Sequence, residues 1–327
     1  MSAETTVRSE GMLDRVDRRK LVGPAVIGGA VVLLLIVGGI LEPNFLSYDN
    51  LLAVVRAASL VGIAAVGMTF ITLTGNFVSL STEQTAIISG ILFALALSNG
   101  WPVALAALVT IAAAVAIGLV QGAIVALGMN PIVTTLGAGA AIFGLANVLT
   151  DNRTVQTRTD AADWIGTARP AGIPTQVIAF VVLTVVTMLV LSRTRFGRRV
   201  MLTGANRAAA TATGLRVATT TILAFVIASG FASLCGIFVI SQVGQAKTTN
   251  FEGFTIDVVA AVLVGGTAIQ GGEGSTLRTA MGAIFIALLA NFMLIRDYSY
   301  GVRLVITGIV VAVAVVGFHL LRTRNAG

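Results

Sequence analysis

The amino-acid sequence predicts an all-α polytopic membrane protein with about ten transmembrane helices, each apolar run approaching the roughly 20 residues needed to cross a bilayer. Of its 327 residues, 56% are hydrophobic and only 11% are charged, well below the roughly 25% charged residues of soluble domains. The net charge of +7 comes from basic residues beside the apolar runs, where the cytoplasmic surface and anionic lipid favour them. We therefore expect membrane lipid and no nucleic acid as a partner.

The amino-terminal half is predicted to contain a cytoplasmic tail, at residues 1–20, followed by five crossings. The tail is polar, and its five Lys and Arg residues place it inside under the positive-inside rule. Residues 42–50 contain neither Lys nor Arg, so we expect them outside. The successive crossings are residues 21–41, 51–74, 77–98, 103–128 and 132–149. In the fourth, Gly118 and Gly122 form a small-xxx-small pair, which predicts close packing against another helix.

The carboxy-terminal half is predicted to contribute five more crossings, so that both termini are cytoplasmic and the transmembrane domain covers residues 21–321. The outer loop at residues 150–173 is the largest polar stretch outside, and residues 322–327 form a second cytoplasmic tail. The crossings are residues 174–191, 221–243, 254–269, 277–295 and 302–320. Every Trp and Tyr falls on the predicted outer side, as expected near a membrane interface: Tyr48, Trp101, Trp164, Tyr298 and Tyr300.

The third and eighth crossings have a feature in common, since one end of each is unusual for a spanning helix. Residues 77–98 begin with a polar stretch, and residues 254–269 are short and followed by the glycine-rich sequence GGEGS at residues 271–275. Helices of this kind either cross fully or are broken or re-entrant and line a cavity. The sequence leaves both interpretations open and predicts that some helices are short or broken.

Polar residues in or beside the crossings are the candidates for a translocation path. Some of them could equally bond one helix to another. The candidate residues are Asn76, Ser79, Ser81, Glu83, Gln121, Asn147, Asp257 and Asn291. Because most are uncharged, they suit a hydroxyl-rich cargo bound through hydrogen bonds, while a proton relay through Glu83 and Asp257 is the competing mechanism.

Familiar catalytic motifs are absent from the sequence. There is no G-x-x-x-x-G-K-[ST] phosphate-binding loop, no G-x-S-x-G elbow and no H-E-x-x-H zinc motif. A single histidine and a single cysteine, Cys235 in an apolar run, furnish neither a disulfide nor a metal cluster. We expect no catalytic residues, no metal and no cofactor in this chain.

The basic central segment at residues 192–220 interrupts the apolar runs and carries six Lys and Arg residues. Asn206 is a predicted N-cap, residues 207–213 form a short helix, and Gly214 occupies the C′ position. About two helical turns are not stable alone in water. The segment is therefore either a loop whose charges set the topology or a docking helix for a partner protein.

The same segment carries a resemblance to bacterial ABC-transporter permeases of the ribose, galactose and xylose type. Their usual loop is T-x-x-G-R-x-x-x-A-x-G-x-N-x-x-A-A-x-x-x-G-I. The residues that match it in order are Gly197, Arg198, Gly204, Asn206, Ala209, Ala210 and Gly214. Two further stretches are similar to family motifs: NPIVTTLG at residues 130–137, and DVVAAVLVGGTAIQGGEG at residues 257–274.

The resemblance implies one permease subunit of an ATP-driven importer in the bacterial plasma (inner) membrane. Its implied partners are a second permease copy in a homodimer or heterodimer, ATPase subunits that carry ATP and Mg, and an extracytoplasmic sugar-binding protein. The residues implied in ATPase coupling are Arg198, Gly204, Asn206, Ala209, Ala210 and Gly214.

One motif departs from the family. Where the family usually reads G-G-I-D-L-S-V-G-S, residues 75–84 read GNFVSLSTEQ, so Val78 or Ser79 replaces the aspartate and Glu83 follows. This departure concerns the cargo, and a sugar alcohol or an unusual sugar is as compatible as ribose. A branched-chain amino-acid permease and a proton-coupled secondary transporter remain the alternatives.

Overall fold

The computed structural model describes residues 24–157 and 159–323, with side chains to residue 317. The predicted tail at residues 1–20, and residues 324–327 of the second tail, lie outside this part of the chain. The helices are α1 (Pro24–Leu41), α2 (Tyr48–Leu73), α3 (Thr82–Ser98), α4 (Val103–Ala126), α5 (Pro131–Thr150), α6 (Asp163–Thr167), α7 (Thr175–Arg193), α8 (Arg195–Ala205), α9 (Arg207–Ala212), α10 (Val217–Val243), α11 (Phe254–Val264), α12 (Thr276–Ile295) and α13 (Tyr300–Thr323).

Within the described ranges, eight helices are long and apolar enough to cross a membrane. They confirm an all-α polytopic membrane protein. The remaining two predicted crossings are the shorter apolar helices α3 and α11. Each of these short helices adjoins a non-helical stretch, residues 74–81 before α3 and residues 265–275 after α11, which agrees with the prediction that some helices are short or broken.

The core of the bundle is α2, whose residues from Val61 to Leu73 are all buried. It packs against α7, α10, α11 and α12. A helix that is apolar and buried all round belongs at the centre of a bundle. The outermost long helices are α1 and α13, in which only 11% and 6% of the apolar span is buried within the chain.

The predicted close approach at Gly118 and Gly122 is confirmed between α4 and α10. A Cβ atom on Gly118 would lie 2.7 Å from the carbonyl oxygen of Phe225, and one on Gly122 would lie 2.8 Å from Cα of Ile222. Backbones in such contact gain van der Waals energy that larger residues would prevent. The pair therefore fixes α4 against the longest helix of the described chain.

The outer loop at residues 150–173 is more structured than its polar composition indicated. Its strand β1 (Val155–Gln156) pairs antiparallel with β2 (Gln245–Ala246), which follows α10. Helix α6 packs on the outer end of α10, and the buried Gln176 donates a hydrogen bond to the carbonyl oxygen of Gly166. These contacts join the ends of α5, α7 and α10 into one outer cap.

We predict that Gly122→Val destabilises the bundle, because the added methyl groups would collide with the α10 backbone. The free energy of unfolding should fall by about 1–3 kcal/mol, the usual cost of overpacking. Thermal or detergent-induced unfolding of the purified chain measures this change. Gly144→Val on α5 is the matched control, since no atom lies within 4 Å of its Cβ position, and equal effects of the two substitutions would contradict the prediction.

Candidate functional site

The first part of the site is the inner segment, residues 75–81, which connects α2 to the short helix α3. It leaves α2 through Gly75 in a left-handed conformation with φ of 77°, and Phe77 also has a positive φ of 59°. The inner segment is not helical, yet it is buried: Asn76 and Ser81 are only 2% and 1% exposed. Buried irregular backbone needs partners for its polar groups, and Thr135 of α5 supplies one by accepting from the Leu80 N–H at 3.1 Å.

The second part of the site is formed by the amino-terminal ends of α3 and α11, which lie side by side. The N–H of Glu83 donates to Oγ1 of Thr255 at 3.0 Å, and the N–H of Thr255 donates to Oε2 of Glu83 at 3.5 Å. Asp257 lies in the first turn of α11. Both predicted acids therefore occupy helix amino-termini, where the helix dipole favours negative charge.

A cluster of uncharged polar side chains lies between α3, α4 and the inner segment. Ser79 and Ser81 are joined by their hydroxyls at 3.1 Å, and Ser81 donates to Oε1 of Gln121 at 3.0 Å. Gln121 is 2% exposed, and its Nε2 has no hydrogen-bond partner among the described residues. Oε1 of Gln84, beside Gly139 of α5, is likewise buried without a partner there. The cluster thus retains one donor and one acceptor for a further hydrogen-bonding group.

Two of the predicted path residues lie elsewhere. Asn291 forms a reciprocal amide pair with Asn50, with N···O distances of 2.8 and 3.0 Å, and so bonds α12 to α2. Asn147 donates to the carbonyl oxygen of Phe143 on its own helix at 2.9 Å. The structure therefore brings Ser79, Ser81 and Gln121 together and places these two asparagines apart from them.

The basic central segment, residues 192–220, is called the coupling segment below. It contains two helices, α8 and α9, where the sequence predicted one. The chain bends at Asn206, whose Oδ1 accepts from the Ala209 N–H at 2.9 Å, as predicted for an N-cap. At the other end the N–H groups of Gly214 and Leu215 return to the carbonyl oxygens of Thr211 and Ala210. This is a Schellman motif with a left-handed C′ glycine, so the predicted cap and stop signals of α9 are both confirmed.

The six predicted coupling residues differ in exposure. Ala210 is buried and Gly204 is half-buried, whereas Arg198, Asn206, Ala209 and Gly214 are exposed. The exposed residues are accessible for contact with another protein. Whether they provide that contact stays a prediction.

Gly204 lies in a glycine junction, which we define as Gly75, Gly204, Gly271 and Gly272. A Cβ atom on Gly204 would collide with the carbonyl oxygen of Leu73 and the N–H of Gly272. Gly272 donates to that Leu73 oxygen at 3.0 Å, and a Cβ atom on Gly271 would lie 2.5 Å from the nitrogen of Gly75. The end of α8 therefore meets the inner segment and the glycine-rich turn after α11, with backbone atoms of the three segments in close contact.

Arg207, the first residue of α9, is a site residue that the sequence did not single out. Its Nη1 donates to Oδ1 of Asn76 at 3.2 Å, while Nδ2 of Asn76 donates to Oγ1 of Thr74 at 2.8 Å. A cation in the first turn of a helix is electrostatically unfavourable. That local mismatch was the one signal that Arg207 has a partner outside its own helix.

No group of three or more His, Cys, Asp or Glu residues that could hold a metal ion occurs in the described ranges. Cys235 is buried in α10, with its Sγ 3.3 Å from the carbonyl oxygen of Leu60. Besides the carboxyl groups of Glu83 and Asp257 at the helix amino-termini, the site offers hydrogen bonding by hydroxyl and amide groups.

Comparison with known proteins gives one family and several relatives. The family described as "Branched-chain amino acid transport system / permease component" matches residues 50–316. Ribose import permease protein RbsC of Haemophilus influenzae is 31% identical over 301 residues, which are 90% of this chain and 93% of the relative. RbsC of Escherichia coli K12 is 32% identical over 88% of this chain and 90% of its own. The probable ABC transporter permease protein YphD of the same strain is 30% identical over 90% of this chain and 89% of its own. No solved structure matches the chain significantly.

We predict that Gly204→Ala is more damaging than Gly214→Ala, although the coupling motif contains both glycines. The first substitution places a methyl group against backbone atoms, at a cost of about 2–3 kcal/mol in unfolding free energy. The second puts a side chain at φ of 76° in open space, at a cost of about 1 kcal/mol. Unfolding of the two purified variants measures the difference, and equal losses would show that the junction is not tightly packed.

Proposed function

Since the chain belongs to the permease family that matches residues 50–316, we propose that it forms the translocation path of an ATP-driven importer for a sugar or sugar-like polyol. The chain is a multi-pass protein of the bacterial inner membrane. The names of the relatives favour a sugar over an amino acid, because two of them are ribose import permeases. The single observation that carries the proposal is the buried hydroxyl and amide cluster around Gln121.

The chemistry of that cluster suits an uncharged cargo with several hydroxyl groups. One sugar hydroxyl can accept from Nε2 of Gln121 and another can donate to Oε1 of Gln84, since both atoms are among the buried polar atoms of the described chain that have no partner there. Leaving such groups unpaired is costly, so a hydroxyl that satisfies them is favoured over an apolar group. The serines at positions 79 and 81 can exchange their mutual hydrogen bond for one to the cargo.

The partners follow from the division of labour in an importer. ATP and Mg would be bound by separate ATPase subunits that dock on α8 and α9, where Arg198, Asn206 and Ala209 are exposed. A second permease copy would complete the path. An extracytoplasmic sugar-binding protein would dock on the outer cap formed by β1, β2 and α6.

Uptake into proteoliposomes tests the proposal. The full chain is copurified with its ATPase from the native membrane, reconstituted with the binding protein, and given labelled ribose, arabinose, ribitol and leucine. ATP-dependent uptake of a pentose or polyol that resists a protonophore is the expected result. Uptake that collapses with the protonophore would support a secondary transporter, and uptake of leucine alone would support the amino-acid alternative.

We further predict that Gln121→Leu weakens cargo recognition. Replacing the amide with an apolar group of similar size removes a donor, and the KM for uptake should rise about tenfold, the equivalent of about 1.4 kcal/mol for one hydrogen bond. Asn147→Leu is the control, since that amide bonds only within α5 and should leave KM unchanged. An equal rise of KM in both variants would show that the cluster around Gln121 does not contact the cargo.

A further inference from the structure

The contact between Arg207 and Asn76 joins two parts of the molecule that are 131 residues apart in sequence. Arg207 begins α9 in the coupling segment, and Asn76 lies in the inner segment that leads to the polar cluster. We propose that this hydrogen bond is the link through which a displacement of α9 opens or closes the inner segment. The proposal rests on the proposed function in one respect, namely that the ATPase acts on α9.

The surroundings of Asn76 make it suited to this role. Its amide nitrogen donates to Oγ1 of Thr74, which in turn donates to the carbonyl oxygen of Ile71 at 2.7 Å. Asn76 is therefore held to the last turn of α2 on one side and to α9 on the other. Asn76 is 2% exposed whereas Arg207 is exposed, so the bond runs from a buried amide to a side chain of the surface segment.

The two halves of the coupling segment differ in how they are attached. Helix α8 buries Val200 and Thr203 and ends in the glycine junction, where backbone atoms are in contact. Helix α9 buries only Ala210 among its six residues. Since α9 has little packing to restrain it, it can turn about Asn206 while α8 stays fixed, and Arg207 would then pull on or release Asn76.

The inner segment can respond to such a change because its own conformation is held by few regular interactions. Ser79 and Ser81 follow Asn76 within five residues; their hydroxyls bond to each other, and Ser81 donates to Gln121. A shift of Asn76 is transmitted along this short non-helical stretch to the cluster. The bond thus supplies the differential contact that a two-state change requires.

A cysteine reporter tests the link without any partner or cargo. The variant Ser79→Cys of the full chain is placed in inside-out membrane vesicles, and its rate of modification by N-ethylmaleimide is measured. The unsubstituted chain gives the background from Cys235, which is buried. Adding Arg207→Gln should raise the rate at least about fivefold, the lower range of typical coupling between sites. Adding Arg216→Gln removes the same charge from an exposed position of the segment and should leave the rate unchanged.

Further variants separate a link from general damage to the fold. Arg207→Lys keeps a donor and should restore most of the slow rate. Asn76→Asp makes the contact with Arg207 an ion pair, and the Thr74 hydroxyl, which accepts from the Asn76 amide, can turn and donate to the new carboxylate. Modification should then be slower than in the reporter alone, whereas damage to the fold would accelerate it. Asn76→Ala combined with Arg207→Gln should be no faster than Asn76→Ala alone, because that substitution already removes the interaction with Arg207. Equal rates for the Arg207→Gln and Arg216→Gln variants, or additive effects of the pair, would overturn the proposal.

The uptake assay distinguishes this inference from the proposed function. Here Arg207→Gln should lower the ribose transported per ATP hydrolysed, while Arg216→Gln should not. If the unsubstituted chain shows no ATP-dependent uptake of the sugars tried, the proposed function fails, yet the modification rates still decide whether the link exists. If uptake is present and the Arg207→Gln variant transports as much sugar per ATP hydrolysed as the unsubstituted chain, the inference alone fails.

Discussion

The short helices α3 and α11 adjoin non-helical backbone, and within a membrane the N–H and C=O groups of such backbone need hydrogen-bond partners other than bulk water. This requirement constrains the residues that surround both helices. The inner segment is buried against α2 and α5, and side chains form the hydrogen bonds that its backbone N–H groups need. Thr135 accepts from Leu80, and Thr255 and Glu83 cap one another's helices. The arrangement of α3 and α11 therefore depends on the polar side chains that supply these hydrogen bonds.

The same residues bring hydrogen-bonding capacity to a place where a cargo could use it. Once serines, threonines and amides are present to satisfy the inner segment, small changes in their pairing free a donor or an acceptor at low cost. Gln121 illustrates the point, since its oxygen is used by Ser81 and its nitrogen is not used within the described chain. Structural need and the proposed cargo recognition are thus compatible within one cluster rather than competing explanations of it.

Much of this architecture could be predicted from the sequence, because apolar length and charge asymmetry act locally. The helix α9 was predicted with its Asn206 cap and its Gly214 stop, since those signals operate within a few residues. The outer cap was not, because β1 and β2 are two-residue strands that exist only through pairing across about 90 residues and have no periodicity to detect. Asn291 was assigned to the path on polarity alone, and only its partner, Asn50, shows that it bonds one helix to another.

Gly204 shows why a sequence motif cannot be divided into functions residue by residue. The motif places it with Asn206 and Ala209, yet its backbone contacts Leu73 and Gly272 of the same chain. In the link that we propose, the tight junction is the fixed point and the exposed helix α9 is the part that moves. Force applied to α9 is then directed toward Asn76 instead of being lost by displacing α8. Rigidity at the glycine junction is consequently a condition for coupling, although no residue of the junction needs to contact an ATPase or a sugar.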